Sequence, residues 1–201
     1  MEFEIRPYQP SDLPAYYRIC LLTGDSGKDA STMYQYPDIL GAYYSAPYGV
    51  LEPDVCFTLT CDGEPCGYVV GAKDSNVFSE RMDKEWLPAW REKYPLPEPE
   101  DQTPDAHIIR AIHRGYHCDP DLYAVYPAHL HIDLLPIAQG KGWGRKLMQT
   151  FIDNLRAKKV KAVHFGVGAK NLPAIGFYKH FGFHVIHEAQ WGLLMGMKLN
   201  E

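Results

Sequence analysis

Gln139-Gly140-Lys141-Gly142-Trp143-Gly144 is the stretch of this 201-residue chain whose residue types come closest to specifying a chemistry. An apolar run closing on a proline (Leu130, Ile132, Leu134, Leu135, Pro136) precedes it. Behind it Leu147, Met148, Phe151, Ile152 and Leu155 recur at one-turn spacing. Strand, glycine loop and helix in that order aim several free backbone N–H groups, and the positive end of a helix dipole, at one point. Such a point is an anion site, and phosphate is its commonest occupant. A P-loop is excluded because Lys141 is followed by Gly142 rather than Ser or Thr, and the dinucleotide fingerprint lacks its third glycine, where Arg145 stands. Arg145 and Lys146 fall in the helix's first turn, where each opposes the macrodipole by about 0.3–1 kcal/mol, a cost that a bound polyanion reverses. A ligand-free turn with solvated surface charges is the alternative.

Two further constellations carry polar chemistry. Alternation along Ala128–Leu134 sends Ala128, Leu130, Ile132 and Leu134 to one face and His129, His131 and Asp133 to the other, where they act as proton-handling groups or as buried structural ones. A strand-like run, Val160 to Val167, leads into Asn171-Leu172-Pro173-Ala174-Ile175-Gly176-Phe177-Tyr178-Lys179-His180-Phe181-Gly182-Phe183. Asn171 suits a helix N-cap, Pro173 a first turn and Gly182 the stop, which by themselves describe only a short, well-capped helix.

In this order and at this spacing, the two stretches resemble the GCN5-related N-acetyltransferase (GNAT) superfamily. The resemblance extends to Ile5-Arg6-Pro7 as an opening strand and to the segment from Ser11, a helix N-cap, to Ile19 as a first helix. It also covers a hairpin from Val55–Cys61 through Asp62-Gly63-Glu64 to Gly67–Gly71. More narrowly, Tyr126-Pro127-Ala128-His129-Leu130-His131-Ile132-Asp133-Leu134 after a long insertion is similar to the acetyltransferase-like domain attached to O-GlcNAc hydrolases and to its stand-alone bacterial relatives.

The resemblance implies an α/β fold with a mixed, mostly antiparallel sheet flanked by helices. The sheet is splayed between the strands at 128–135 and 160–167, with acetyl-CoA wedged in the opening. It implies that Gln139, Gly140, Lys141, Gly142, Trp143, Gly144 and Arg145 bind the pyrophosphate and that the Leu134 backbone bonds the pantetheine amides. Asn171, Phe177 and Tyr178 then hold the pantetheine arm and face the thioester. Tyr178 matches the general acid, and a phenol with a pKa of about 10 suits a thiolate leaving group. The base departs from both family patterns, one with a glutamate at Ala128 and the other with histidines at Ala128 and Leu130. Asp133 is preferred, with His131 as alternate and water as a third route. The implied activity is direct acetyl transfer to an amine acceptor in a ternary complex. The alternatives are a catalytically silent acetyl-CoA-binding module and an O- or S-acceptor enzyme.

Length and composition fit one domain, residues 1–201, with 46% hydrophobic residues giving material for a core. Residues 73–126 form an insertion before the central strand. Within it Asp83–Tyr94 and Asp105–Tyr116 read as helices, Pro95–Asp101 as an acidic proline-rich turn and Asp119-Pro120-Asp121 as a returning turn. Long excursions on a rigid scaffold carry specificity, so this insertion is expected to wall the acceptor pocket, together with the loop Thr23–Tyr44 through Asp25, Asp29, Tyr34 and Tyr36. A net charge of −5 without a basic stripe argues against nucleic acid and suits a cationic acceptor. Five cysteines without a second Cys-rich pair predict reduced thiols and no metal site, Cys118 being the one thiol considered for a covalent intermediate. No signal-peptide pattern or bilayer-length apolar run is read, so no membrane partner and a cytoplasmic location are expected, and a homodimer is compatible with the chain.

Overall fold

The chain opens with strand β1 (Phe3–Pro7), which leads into helices α1 (Leu13–Thr23), α2 (Ile39–Tyr44) and α3 (Ala46–Leu51). The computed structural model describes residues 1–116 and 119–199. Ser11, the expected cap of the first helix, does not serve: the residue before α1 is Asp12, whose buried carboxylate accepts from Gln9 N–H, both ends of the Arg6 guanidinium and the Thr58 hydroxyl. The carboxylate offers more acceptor positions than a serine hydroxyl, and it ties β1 to α1.

A hairpin follows, β2 (Phe57–Cys61) and β3 (Glu64–Ala72), turned by Asp62 and Gly63, both at positive φ as a tight two-residue turn requires. All five residues of β2 are buried, because helices cover both faces of the sheet. The insertion then builds α4 (Ser75–Arg81), a π-helical turn (Met82–Trp86), α5 (Leu87–Lys93), α6 (Pro104–Arg114) and α7 (Pro120–Val125). The first of the expected insertion helices therefore begins upstream, where the Asp74 carboxylate accepts from Asn76 and Val77 N–H. The expected turn at Asp119-Pro120-Asp121 is instead the start of α7: Asp119 caps the Leu122 N–H and Pro120 occupies the first helical position, where its missing donor costs nothing. Ile108, Ile109 and Ile112 are buried on the inner face of α6, as their spacing predicts. Cys118 lies outside the described residues.

The central strand β4 (Ala128–Leu134) leads through the glycine loop into α8 (Trp143–Ala157). Then come β5 (Ala162–Gly168), α9 (Leu172–Phe181), β6 (His184–Ala189) and β7 (Gly192–Lys198). The seven strands run in the order β1-β2-β3-β4-β5-β7-β6, antiparallel throughout except for the β4–β5 pair. This is the mixed, mostly antiparallel sheet that the family resemblance implies. Leu59, Val69, Leu130, Phe151 and Val163 belong to one core with α8 and α9, and Tyr16, Tyr68, Val70, Phe78 and Ile112 to another with α1 and the insertion.

The β4–β5 ladder extends over only two pairs, Ala128↔Val163 and His129↔His164. Beyond them β4 stays bound to β3 as far as Leu134, and β5 to β7 as far as Gly168, so the strands diverge. Two unpaired strand edges then face one another in mid-sheet. Buried backbone donors and acceptors demand partners, so a gap of this kind is a place for an extended ligand to hydrogen-bond.

Candidate active site

The glycine loop closes one end of that gap. Gly140 and Gly142 sit at φ of +68° and +81°, and a Cβ at either would meet nothing within 4 Å. Positive φ favours glycine, and the bare backbone leaves the loop open to close approach. Gly142 caps α8, and the first hydrogen bond back to it comes from Lys146 N–H, leaving the N–H groups of Trp143, Gly144 and Arg145 without helical acceptors. Around them stand three cations that pair with no carboxylate among the described residues: Lys141 over Phe3, Arg145 over Phe181 and Lys146 over Trp143. The Trp143 indole stacks on Phe3, 5.2 Å away, so its side chain packs against β1. The Gln139 amide donates to the Leu134 carbonyl at 2.7 Å, bracing the loop against the open edge of β4. A Cβ on Gly144 would touch both the Leu134 side chain and the Phe177 ring, so these three surround the same slot between β4, α8 and α9.

A cavity of about 320 Å³ lies in the gap itself. It is lined by His131, Asp133, Asn171 and Tyr178 of the expected site, and no lysine or arginine lines it among the described residues. Asn171 also caps α9, accepting from Ala174 N–H at 3.2 Å. Tyr178 packs its ring 4.3 Å from Phe165, and burial raises its pKa, with the charge of Asp133 adding to the shift. Burial likewise raises the pKa of Asp133, against the opposing pull of His131 and of hydrogen bonds.

Sequence reasoning missed Tyr68. From β3 its hydroxyl donates to Asp133 Oδ2 at 2.6 Å and stands 3.3 Å from His131 Nδ1. It missed Tyr44 as well, whose ring stacks on His131 at 5.7 Å, and the gap left by Gly166, over which the Trp191 indole lies. The segment 23–44 is not one loop, since α2 occupies its end, but it supplies much of the wall through Thr23, Gly24, Ser26, Gly27, Tyr34, Leu40 and Tyr44. Of the four polar candidates there only Tyr34 lines the cavity. Asp25 pairs through its backbone with Lys28, Asp29 accepts from Ser31 N–H, and Tyr36 packs 4.7 Å from Tyr94. The insertion contributes Ile108 to the cavity, while Pro97 and Asp101 border a separate groove with Tyr34 and Tyr36.

His129, on the same face of β4, is buried away from the cavity. Its Nδ1 is 2.7 Å from the Ser75 hydroxyl and its Nε2 3.0 Å from that of Tyr48, so it ties the insertion and α3 to the central strand. Burial, with His164 beside it, pulls its pKa down to about 3, and burial lowers His164 too. Both imidazoles titrate near 6.5 when unfolded, so from there down to the folded values the unfolded chain binds more protons. Their contribution is complete above pH 6.5 and is lost as pH falls, at about 1.4 kcal/mol per pH unit for His129 down to its folded value, with His164 adding in the same direction. Asp133 has the opposite sign, because a raised carboxyl pKa favours the folded state on acidification. We expect the urea midpoint to drop between pH 7 and pH 5, and to drop less in His129→Gln. An equal drop in both proteins would remove His129 as the cause.

Comparison with known proteins places this geometry. A model of the acetyltransferase (GNAT) family matches residues 29–183. The crystal structure of SsHAT superposes with a TM-score of 0.91 at 38% identity, each chain covered in full. YncA of Salmonella typhimurium, solved with its cofactor acetyl-CoA, shares the fold at a TM-score of 0.60 and 17% identity, over 100% of this chain and 96% of that one. Protein O-GlcNAcase of Rattus norvegicus is 25% identical over 182 residues, which are 90% of this chain but 20% of that protein, so the chain spans about a fifth of that relative's length.

Proposed function

Since the chain belongs to the acetyltransferase (GNAT) family, we propose that it transfers the acetyl group of acetyl-CoA directly to a primary amine held in the cavity beside Asp133. The observation that carries this reading is the mid-sheet gap, with an anion cradle at one end and proton-handling groups inside it. The residues present fit the cofactor. The free N–H groups after Gly142 and the unpaired Lys141, Arg145 and Lys146 suit a pyrophosphate, and the open edges of β4 and β5 suit an amide-bearing arm.

Acetyl-CoA brings the activated acyl group, and the chain supplies binding and proton transfer. An amine of pKa about 10 is mostly protonated at neutral pH and must lose a proton before it attacks. The Asp133–His131 pair takes that proton, the carboxyl being shifted toward neutrality by burial. Tyr34 and Tyr44 line the cavity that the ammonium enters, with Asp133 as the one carboxylate among the described lining residues. Tyr178 gives its proton to the departing thiolate and is reprotonated by the second proton that the nitrogen loses as the amide forms. Burial disfavours a thiolate formed beside Tyr178 as it disfavours the phenolate, so both pKa values move in the same direction. Cys20 lines the cavity, but burial pushes its thiol up to about 12, which makes it a poor nucleophile and favours direct transfer.

The test is the pH profile of turnover. The rate is expected to rise through one ionisation lying above the ordinary carboxylate range, and that limb should vanish in Asp133→Asn or His131→Gln. An unchanged limb in both variants would assign the proton to water.

A further inference from the structure

Two groups compete for the amine proton, and the hydrogen bonds around Tyr68 decide between them. A tyrosine hydroxyl has one proton to give. At 2.6 Å from Asp133 Oδ2 that proton is committed to the carboxylate, since an ionised carboxylate can only accept. His131 Nδ1, 3.3 Å from the same oxygen and 3.7 Å from Asp133 Oδ2, then faces two acceptors and must carry a hydrogen itself. Resting on the proposed acetyl transfer, we infer that Tyr68 is a positioning residue that fixes His131 as the Nδ1–H tautomer, leaving Nε2 as the atom that takes the proton from the amine. Asp133 is then the buried counter-charge for the imidazolium that forms. When the amine's proton moves to Nε2, the ring carries both hydrogens and the positive charge, and Nδ1 keeps its hydrogen throughout. The proton leaves Nε2 for solvent after the acetyl group has moved.

The rest of the molecule supports this division. Tyr68 is fully buried from β3, directly across the strand pair from Asp133, and its ring lies 4.9 Å from Tyr16, so its hydroxyl has little freedom to turn. The His131 side chain is 34% exposed and that of Asp133 16%, which makes the imidazole the more accessible of the two. The other titratable groups facing the pair are Cys20 from α1, Tyr34, Tyr44 from α2 and Tyr178 from α9. Burial raises all four, so each stays protonated in the resting site near neutrality and none competes as a base for the amine's proton. His129, two residues along β4, is held neutral in its own bonds to Ser75 and Tyr48.

The direct test is long-range ¹H–¹⁵N NMR of the histidine side chains above pH 7, with the His131 signals assigned by their loss in His131→Gln. The inference predicts the Nδ1–H tautomer for His131 in the wild-type protein and a shift toward Nε2–H in Tyr68→Phe, which keeps the ring and removes only the hydroxyl. An Nε2–H tautomer in the wild type, or one unaffected by Tyr68→Phe, overturns it. In turnover, Tyr68→Phe is expected to cost about tenfold, less than the roughly 10²–10⁴-fold of losing a general base outright, because the His131 imidazole itself remains. Its acid limb should move upward, because Asp133 loses a bond that favours its ionised form. Acetyl-CoA affinity should not change. Should the tautomer be as predicted while no amine is acetylated, the positioning stands and the transferase reading fails.

Discussion

Valine in place of Gly142 is expected to abolish acetyl-CoA binding while leaving the protein folded. The residue adopts φ of +81° as the cap of α8, in a loop whose space is otherwise open. A β-branched side chain there costs about 1–3 kcal/mol of backbone strain, which a domain with about 5–15 kcal/mol of stability survives. The loop can relieve that strain only by leaving positive φ, and that turns the N–H groups of the first helical turn away from a common point. On the proposed reading the branched side chain also stands where the pyrophosphate approaches. Titration calorimetry with acetyl-CoA should show affinity reduced at least about 100-fold, the loss of roughly two charge-assisted hydrogen bonds at about 1.5–3 kcal/mol each. Thermal melting should show one cooperative transition. Unchanged affinity would take the loop out of the site.

The second large effect lies at the other end of the gap. Tyr178→Phe keeps the ring against Phe165 and Phe183 and deletes only the hydroxyl. If that hydroxyl protonates the leaving thiolate, turnover should fall by about 10²-fold or more, with acetyl-CoA affinity nearly constant because the packing surface is intact. Turnover at the wild-type level would return Tyr178 to the core, where its contacts already give it a place.

What the sequence made legible follows from how locally each feature is encoded. The caps and periodicity of α8 and α9 lie within a few residues of the helices they define, so Gly142, Asn171 and Gly182 were readable as signals. The face of β4 that carries His131 and Asp133 came from alternation alone. Asp74 and Asp119 carried equally local signals for α4 and α7, and the second was obscured by a proline pattern that serves turns and first helical turns alike. Tyr68 was hidden for a different reason. It meets Asp133 through the register of β3 on β4, strands separated by the whole insertion, and no local pattern fixes a pairing across that distance. The wall from 23 to 44 depends in the same way on where α1 and α2 dock, which tertiary packing decides. Ser11 does not take its expected role because the residue before α1 is Asp12, whose buried carboxylate is taken up by the β1 guanidinium and the Gln9 turn rather than by the helix's own N–H groups.

The most direct measurement is a mass-spectrometric assay of acetyl-CoA consumption across primary amines, amino sugars and lysine peptides, with the intact protein weighed in the same reaction. The account predicts CoA release matched by acetyl gain on an amine, with no acetyl left on the protein. Acetyl-CoA bound tightly, but with no release above spontaneous hydrolysis for any acceptor, would contradict it and leave a silent acetyl-CoA-binding module in its place.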